Sequence, residues 1–456
     1  YRVIESVNVD GHTFTGEWRA VKGSAYFESP KLYKENGFKE KEEAKKLIAV
    51  LKEGTSPLTC RIVSIEKKKE KKNPPLLFNL AELQNECSKR FKISPDETLR
   101  IVQELYEKKL VTYPRTDARV LSTAVSKEIT KNLNGLSKYQ MAAPYMQDIL
   151  HYGAYKNLAK TRYVNDKQIT DHYAIIPTGQ GLSALNSVSA TAHHVYDVIV
   201  RRFLSIFYPP AVYQKVALVT QIGKEQFFSN FRVLAEEGYL KVAGVPAPKK
   251  NVNGNDAEGD GSDNNVDLDA AFFASIQKLK KGDILDVKSL DIKEGETSPP
   301  KRYNSGSMIL AMENAGQLIE DEELRAQIKG SGIGTSATRA EILKKLFNIK
   351  YLALNKKTQV ITPTLLGEMI YDVVLNSIRS LLNPELTASW EKGLNYVAEG
   401  EITSDEYMTK LDHFIVSRTN GVLGLNNQYQ LRSCYDRAAA FYKKETKGRA
   451  SKGKKE

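Results

Sequence analysis

The stretch Leu110-Val-Thr-Tyr113-Pro-Arg115-Thr-Asp117-Ala-Arg119-Val-Leu-Ser122 decides how the rest of the chain is interpreted. A helical pattern leads into it, and Pro114 after the tyrosine removes a backbone donor and stiffens the turn. A tyrosine can form a covalent intermediate once its proton is removed. An arginine two residues later can hold the oxygens of a phosphate bidentately. Tyr113 and Arg115 are therefore suited to attack on a phosphodiester, although such a triplet alone is more often the charged end of a helix.

The composition predicts a multidomain protein that binds a polyanion. A chain of 456 residues is too long for one hydrophobic core, so about two to four domains are expected. The formal net charge of +12 favours nucleic acid as the partner. The alternative is a basic surface that serves only solubility.

The cysteines indicate neither a metal ribbon nor a disulfide framework. Cys60, Cys87 and Cys434 lie far apart without a Cys-x-x-Cys pair, which fits a reducing cytoplasm. No apolar run approaches the length of about 18 residues that a membrane span needs. The chain opens on Tyr1 in strand-like sequence, which we interpret as a fragment or a processed chain.

The first half of the chain changes from β to helical periodicity. Residues 1 to about 65 alternate like strands, and the run Lys67–Lys72 before two prolines predicts a solvated connection. Ser94 followed by Pro95 predicts a capped helix start. On that helix Gln103 and Glu107 share one polar face. Its apolar face comprises Leu99, Val102, Leu105 and Tyr106.

The second half returns to strands and then to helices. Strands are predicted over Val212–Ile222, 227–234 and 284–290, with a flexible loop at Asn251–Asn265. Asp267 and Asp269 form a D-x-D pair beside that loop, which is no rigid support for a metal. A helix is predicted around Glu322–Ile328.

Two further motifs predict contacts to phosphate. Gly330-Ser-Gly332-Ile-Gly334-Thr-Ser-Ala-Thr338-Arg339 places free backbone N–H groups before a helix, which favours an anion. It lacks the ending of a nucleoside triphosphate loop. His172, in Asp171-His172-Tyr-Ala-Ile-Ile-Pro-Thr178, is a candidate phosphate contact, although a lone histidine is usually structural.

These motifs stand in the order of a known family. The Tyr113 and His172 motifs are followed by Pro299-Pro-Lys-Arg-Tyr303 with the glycine loop, and by Glu385-Leu-Thr-Ala-Ser-Trp-Glu391. Together they resemble type IA DNA topoisomerases, most closely the bacterial topoisomerase III branch, over about residues 1–420.

The resemblance implies a multidomain α+β fold with a toroidal core. Residues 1–78 and 210–295 would form a β-rich arch, and residues 79–209 a helical domain that carries the tyrosine. Residues 296–425 would form a helical base that binds single-stranded DNA. The tail 426–456 is basic and is expected to be disordered and to grip DNA non-specifically.

The resemblance also assigns catalytic roles. Tyr113 matches the nucleophile, which takes the 5′-phosphate of the cut strand, and Arg115 matches the residue that positions this phosphate. His172 matches a phosphate-contacting histidine. Tyr173 departs from the family, whose members often have a second histidine or a glutamate there.

The resemblance further implies four contacts to DNA. Thr338 falls on a phosphate-contacting hydroxyl position, and Arg339 beside it adds positive charge. Gln103 and Glu107 match positions that line the base pocket upstream of the cleavage point.

The implied activity is cleavage, strand passage and religation without ATP, in relaxation or decatenation. The parent enzyme requires Mg²⁺, which is bound by a metal-binding Toprim domain with an acidic cluster that this sequence does not show. No metal or other cofactor is therefore expected in this chain. A tyrosine without its partner base loses general acid–base help of about 10²–10⁴-fold. The chain alone is thus expected to bind single-stranded or negatively supercoiled DNA and to be impaired in catalysis.

There are two alternative hypotheses for the function. The first is a non-catalytic DNA-binding or clamp module. The second is a tyrosine recombinase, which requires a C-terminal tyrosine within an arginine–histidine cluster, whereas Tyr113 lies early. The resemblance also implies a monomer in the cytoplasm, associated with the nucleoid and not with a membrane, with helicases as candidate partners of the parent.

Overall fold

A computed structural model describes residues 1–53, 56–169, 171–244, 266–267, 270–319 and 332–442. The chain divides into two compact units. Unit 1 comprises Tyr1–Pro74 and Tyr208–Pro300, and unit 2 comprises Pro75–Phe207 and Lys301–Glu456. The predicted α+β class is confirmed. The bounds of unit 1 lie within five residues of the predicted arch, whereas the boundary between the two predicted helical domains stays a prediction because both fall in unit 2.

The strands of unit 1 form one large sheet and a small hairpin. They are β1 (Arg2–Val9), β2 (His12–Arg19), β3 (Leu32–Lys34), β4 (Gly37–Phe38), β5 (Thr59–Lys72), β6 (Ala211–Ile222), β7 (Glu225–Glu236), β8 (Val266–Asp267) and β9 (Ile284–Lys293). The large sheet has the order β2-β1-β9-β5-β6-β7-β8, and β2 also pairs with β7. Six antiparallel strands therefore close into a ring, which we call the strand ring.

The helices lie mostly in unit 2. They are α1 (Lys41–Lys52), α2 (Leu80–Phe91), α3 (Pro95–Glu107), α4 (Thr123–Leu136), α5 (Ala143–Tyr152), α6 (Ala190–Ser205), α7 (Leu240–Ala243), α8 (Ala270–Lys278), α9 (Ser305–Glu313), α10 (Arg339–Asn348), α11 (Leu365–Leu375), α12 (Pro384–Glu399), α13 (Ser404–Leu423) and α14 (Gln428–Tyr442). Unit 2 also has a hairpin of β10 (Leu352–Leu354) and β11 (Ile361–Pro363). Among the residues described, no helix is long and apolar enough to cross a membrane.

The interior of the strand ring contains one buried carboxylate. On β1 every second side chain points inward, so Glu5 lies in the same row as Val3 and Val7 and has no exposed surface. The Thr220 hydroxyl donates a hydrogen bond to Glu5 Oε1, and Oε2 receives no hydrogen bond from the residues that the structure describes. Gly16 makes room for this side chain, because a Cβ there would lie 2.5 Å from Glu5 Oε1.

The lysine run Lys67–Lys72 was wrongly predicted to be a solvated connection. It forms the end of β5, paired with β6 from Lys67 opposite Val216 to Lys72 opposite Ala211. Lysine has little preference for strands, but its long side chain can stay in water while the backbone pairs.

The predicted helix start at Ser94 is confirmed, and the predicted disorder from residue 426 is wrong in part. The Ser94 hydroxyl accepts a hydrogen bond from the Glu97 amide at 3.1 Å. Gln428–Tyr442 forms α14, because Leu431, Tyr435 and Ala439 recur at helical spacing on its less exposed face. Residues 443–456 of the tail lie outside the described residues, as do the predicted loop at Asn251–Asn265, the helix at 322–328 and Asp269.

Candidate active site

The backbone on both sides of Tyr113 is fixed by a neighbouring extended segment. After α3 the chain turns through Lys109, which has a φ of 61°. The Thr112 amide donates to the Ile176 carbonyl at 3.0 Å. The Thr112 hydroxyl donates to the Ala174 carbonyl and accepts from the Ile176 amide, both at 3.0 Å. One threonine therefore ties the Tyr113 motif to the His172 motif.

A second threonine repeats this connection beyond Tyr113. The buried Thr116 hydroxyl donates to the carbonyl of His172 at 2.9 Å and accepts from the Ala118 amide at 3.1 Å. The Ala174 amide donates to the Val120 carbonyl at 3.0 Å. These contacts place the ring of His172 against that of Tyr113, with centroids 4.3 Å apart and a 40° angle between the planes. Two of the three predicted catalytic residues, Tyr113 and His172, are thus brought together.

Tyr113 opens into a cavity of about 490 Å³. The cavity is lined by polar, aromatic and charged side chains and by one aliphatic side chain, namely Tyr106, Glu107, Lys109, Val111, Thr112, Tyr113, His172, Tyr173, Thr178 and Gln180. Burial raises the pKa of the Tyr173 phenol above its usual range. The half-buried Tyr113 is therefore accessible from a space large enough for part of a nucleotide.

Tyr106 does not belong to the buried face of α3, contrary to the prediction. It is 38% exposed, and its ring packs edge-on against Tyr113 at a centroid distance of 5.4 Å. It stands in the last turn of α3, where the chain bends at Lys109 and the side chain reaches the cavity instead of the core.

The other predicted contacts are placed differently from one another. Arg115 is exposed next to the buried Pro114. Gln103 Nε2 donates to Glu107 Oε1 at 3.1 Å, and Glu107 lines the cavity. The prediction that Gln103 and Glu107 share a face of α3 is confirmed.

The glycine loop presents one predicted residue and buries the other. Thr338 is exposed, and its hydroxyl accepts from the Thr335 amide at 2.9 Å. Arg339 is only 1% exposed and forms an ion pair of 3.0 Å with Asp117. This burial does not fit the predicted direct DNA contact, because the guanidinium is occupied inside the protein.

Several residues of the site were missed by sequence reasoning. Thr112 and Thr116 hold the two motifs together, and Lys109, Thr178 and Gln180 line the cavity. The signal for the threonines was their position on either side of Tyr113 in extended backbone, which needs hydrogen-bond partners. The cavity residues come from separate turns and carry no such local signal.

A metal ion finds no ready site in the part of the chain that the structure describes. No group of three histidine, cysteine, aspartate or glutamate side chains there could hold one.

Replacing Thr112 by valine is expected to loosen the site. The variant keeps the shape but leaves the Ala174 carbonyl and the Ile176 amide without their side-chain partner, which should lower the stability of unit 2 by about 2 kcal/mol. Urea unfolding followed by the fluorescence of Trp390 measures this. Thr419→Val, on an exposed position of α13 in unit 2, is the matched control. Equal stability of the two variants would contradict the role given to Thr112.

Comparison with known proteins places the chain among DNA topoisomerases. A family model described as DNA topoisomerase matches residues 12–409. The DNA topoisomerase 3 of Bacillus licheniformis is 33% identical over 373 residues, which cover 81% of this chain and 48% of the relative. That of Bacillus subtilis is 34% identical over 347 residues, covering 75% and 44%. The chain thus spans about half the length of these curated relatives.

A solved structure shares the fold. The full-length topoisomerase I from Thermotoga maritima superposes with a TM-score of 0.60 at 22% sequence identity. The match covers 91% of this chain and 58% of the other.

Proposed function

Since this chain belongs to the type IA DNA topoisomerase family, we propose that Tyr113 is the nucleophile of reversible cleavage of a single DNA strand. The phenol oxygen attacks the phosphorus, the bond to the 3′-oxygen breaks, and the phenol proton leaves while the 3′-oxygen gains one. The product is a 5′-phosphotyrosine and a free 3′-hydroxyl. Religation reverses each bond change, so the phosphodiester energy is kept and no ATP is consumed.

The observation that carries this proposal is the placement of Tyr113 in its cavity. Its ring lies against His172 and Tyr106, and its backbone is held on both sides by Thr112 and Thr116. A nucleophile held in this way loses little freedom on reaching the phosphate. His172 and the exposed Arg115 are suited to bind the non-bridging oxygens.

The DNA contacts and the cellular role are part of the same proposal. Thr338 binds a phosphate of the strand, while Gln103 and Glu107 face a base near the cleavage point. The basic chain binds single-stranded or negatively supercoiled DNA as a monomer in the cytoplasm. Relaxation and decatenation belong to the parent enzyme, for which helicases are candidate partners.

We further propose that Mg²⁺ is bound by acidic residues of the family's metal-binding domain and not by the described residues of this chain. The chain alone then binds single strands but cleaves them poorly, because it lacks the acid–base partner of Tyr113. A non-catalytic clamp remains the second candidate, and the following test separates the two.

The test asks for a covalent adduct of defined polarity. A 3′-labelled single-stranded oligonucleotide is mixed with Mg²⁺, this chain and the N-terminal portion of the Bacillus licheniformis relative, which we expect to carry the metal-binding domain. Labelled adduct is expected on this chain, at least about 100-fold above the chain alone. Tyr113→Phe is expected to give none, and its circular dichroism serves as the folding control.

Other results separate the alternatives. Binding of the oligonucleotide without adduct in the mixture favours the clamp. Adduct with a 5′-labelled oligonucleotide only would mean attachment to a 3′-phosphate, as in a tyrosine recombinase. Efficient adduct formation by this chain alone would refute the proposed deficiency.

A further inference from the structure

We propose that Arg339 is a positioning residue that holds the hydroxyl-bearing loop 333–338 against the Tyr113 motif without touching DNA. The inference rests on the proposed function for its DNA readout. It concerns a cluster of four side chains in unit 2, Asn79, Asp117, Glu313 and Arg339, which we call the arginine cluster.

The guanidinium of Arg339 donates hydrogen bonds to three acceptors inside the protein. Nε donates to the Ile333 carbonyl at 3.3 Å, and Nη2 donates to the Gly334 carbonyl at 3.1 Å. Both carbonyls belong to the loop that precedes Arg339. The remaining nitrogen, Nη1, donates to Asp117 Oδ1 at 3.0 Å. One planar group therefore ties two points of the loop to a residue of the Tyr113 motif.

Asp117 connects this contact to the proposed catalytic residues. It follows Thr116, whose hydroxyl holds the His172 carbonyl, and it stands two residues after Arg115. The backbone carbonyl of Asp117 accepts from Asn79 Nδ2 at 3.1 Å. A displacement of Asp117 would therefore move the segment that orients both Arg115 and His172.

The other acid of the arginine cluster, Glu313, is a second carboxylate close to the guanidinium. Glu313 Oε1 accepts from Asn79 Nδ2 at 2.7 Å and lies 4.0 Å from Arg339 Nη1. Burial raises the pKa of Glu313, and the nearby Arg339 opposes that rise. The charge of Asp117 also raises the pKa of Glu313, so loss of the guanidinium would leave both carboxylates without the cation that they share.

The loop 333–338 is also held by hydrogen bonds of its own. The Ile333 amide donates to the Met312 carbonyl at 2.8 Å, and Thr338 Oγ1 accepts from the Thr335 amide at 2.9 Å. Arg339 is the first residue of α10, and its buried side chain holds the loop 333–338. The exposed Thr338 hydroxyl therefore keeps a fixed position relative to Tyr113. The buried Arg339 thus holds the loop, and the exposed Thr338 is the residue that binds the phosphate.

The first measurement is binding of a fluorescent single-stranded oligonucleotide at several salt concentrations. Asp117→Asn removes a negative charge, which would tighten binding to a polyanion if charge alone mattered. Through the arginine cluster it is expected instead to weaken binding about threefold to tenfold, because the ion pair with Arg339 becomes a hydrogen bond to a neutral acceptor. Glu341→Gln removes a charge from exposed α10 surface and is the matched control, expected to bind equally or more tightly.

The salt dependence distinguishes positioning from contact. Arg339→Lys keeps the charge but loses the fork, so weaker binding with an unchanged salt slope is expected. A direct phosphate contact would leave Arg339→Lys near the parent and would lower the slope of Arg339→Gln by about 0.7. That result, or tighter binding by Asp117→Asn, would overturn the proposal.

Hydrogen exchange without DNA tests the cluster independently of the proposed function. Asp117→Asn is expected to speed the exchange of the amide protons of Ile333, Thr335 and Ala118 together. The hydrogen bonds that these amides donate lie in the two segments that Arg339 joins. Faster exchange at Ala118 alone, or no change, would refute the link. Failure of the parent chain to bind DNA, with this coupling intact, would count against the proposed function only.

Discussion

Replacing Glu5 by glutamine is expected to abolish a loss of stability that unit 1 otherwise shows as the pH rises. Between pH 5 and pH 8 this loss amounts to about 2.5 kcal/mol. Burial raises the pKa of the Glu5 carboxyl from 4.5 to about 7, and the hydrogen bond from Thr220 opposes that rise. Below pH 4.5 the carboxyl is neutral in both states. As the pH rises toward 7, the unfolded chain gives up the proton while the folded chain keeps it, so stability falls.

The neutral glutamine has no such proton to release. At pH 8 the variant should therefore be more stable than the parent, and at pH 5 the difference should be smaller than about 1 kcal/mol. The neighbouring Cys60 does not share this effect, because burial and the Glu5 charge raise the pKa of its thiol beyond this range. Gly16 leaves the space that a side chain of this size needs.

The measurement uses the two tryptophans of the chain. Trp18 lies in the core of unit 1 and Trp390 in unit 2, so a Trp390→Phe background lets fluorescence report unit 1 alone. Urea midpoints are compared from pH 5 to pH 8. A variant with the parent's pH dependence would show that Glu5 ionises in the strand ring at no cost.

Glu225 provides a matched control for Glu5. Its carboxylate accepts from Trp18 Nε1 at 2.7 Å, Ser24 Oγ at 2.7 Å and the Ala25 amide at 2.8 Å. Glu225→Gln turns one acceptor into a donor that faces donors. It is expected to lower the stability of unit 1 by about 2 kcal/mol, the opposite sign to Glu5→Gln at pH 8.

Replacing Gly135 by alanine is expected to destabilise unit 2 by about 3 kcal/mol and to disturb the site. Gly135, near the end of α4, packs against the backbone of Gly179. A Cβ would lie 2.7 Å from the carbonyl carbon of Gly179, and backbone cannot yield as a flexible side chain does. Gly179 has a φ of 75°, which only glycine adopts readily.

The disturbance should reach Tyr113 through Thr178. The Thr178 amide donates to the Leu110 carbonyl at 3.0 Å, just before the Tyr113 motif. Moving this segment would loosen that contact, so the variant should also form less adduct in the mixing experiment. Urea unfolding followed by Trp390 fluorescence measures the loss of stability.

Gly421→Ala is the control for this substitution. Gly421 lies in α13, and a Cβ there would meet no atom of the described residues within 4 Å. The change should stabilise the helix by up to about 1 kcal/mol through helix propensity. If Gly135→Ala behaved like Gly421→Ala, the close packing of α4 on Gly179 would not limit stability.

Local patterns predicted the elements, and motif order predicted the meeting of Tyr113 with His172. The Ser94 cap and the shared face of Gln103 and Glu107 depend on neighbours in sequence, which are visible in the letters. The burial of Arg339 could not be predicted in this way. Its partner Asp117 lies 222 positions away, and charge alone suggested a surface contact.

The same limit explains the other errors. The lysine run looked solvated because its partner β6 comes after residues 75–207. The helix α14 was hidden by a basic composition, although its apolar residues recur at helical spacing. Tyr106 shares the periodicity of a buried face but stands where that face ends.

The strand ring also sets an order of events during synthesis. β1 pairs with β9, from Arg2 opposite Lys293. β5 pairs with β6, which is synthesised only after residues 75–207. Such distant pairings form slowly, because a long loop must close before any contact is gained. The helices α2–α6 leave the ribosome before β9 exists, and they have the local contacts needed to fold first. The proposed nucleophile is therefore expected to be surrounded by folded helices before the strand ring can close.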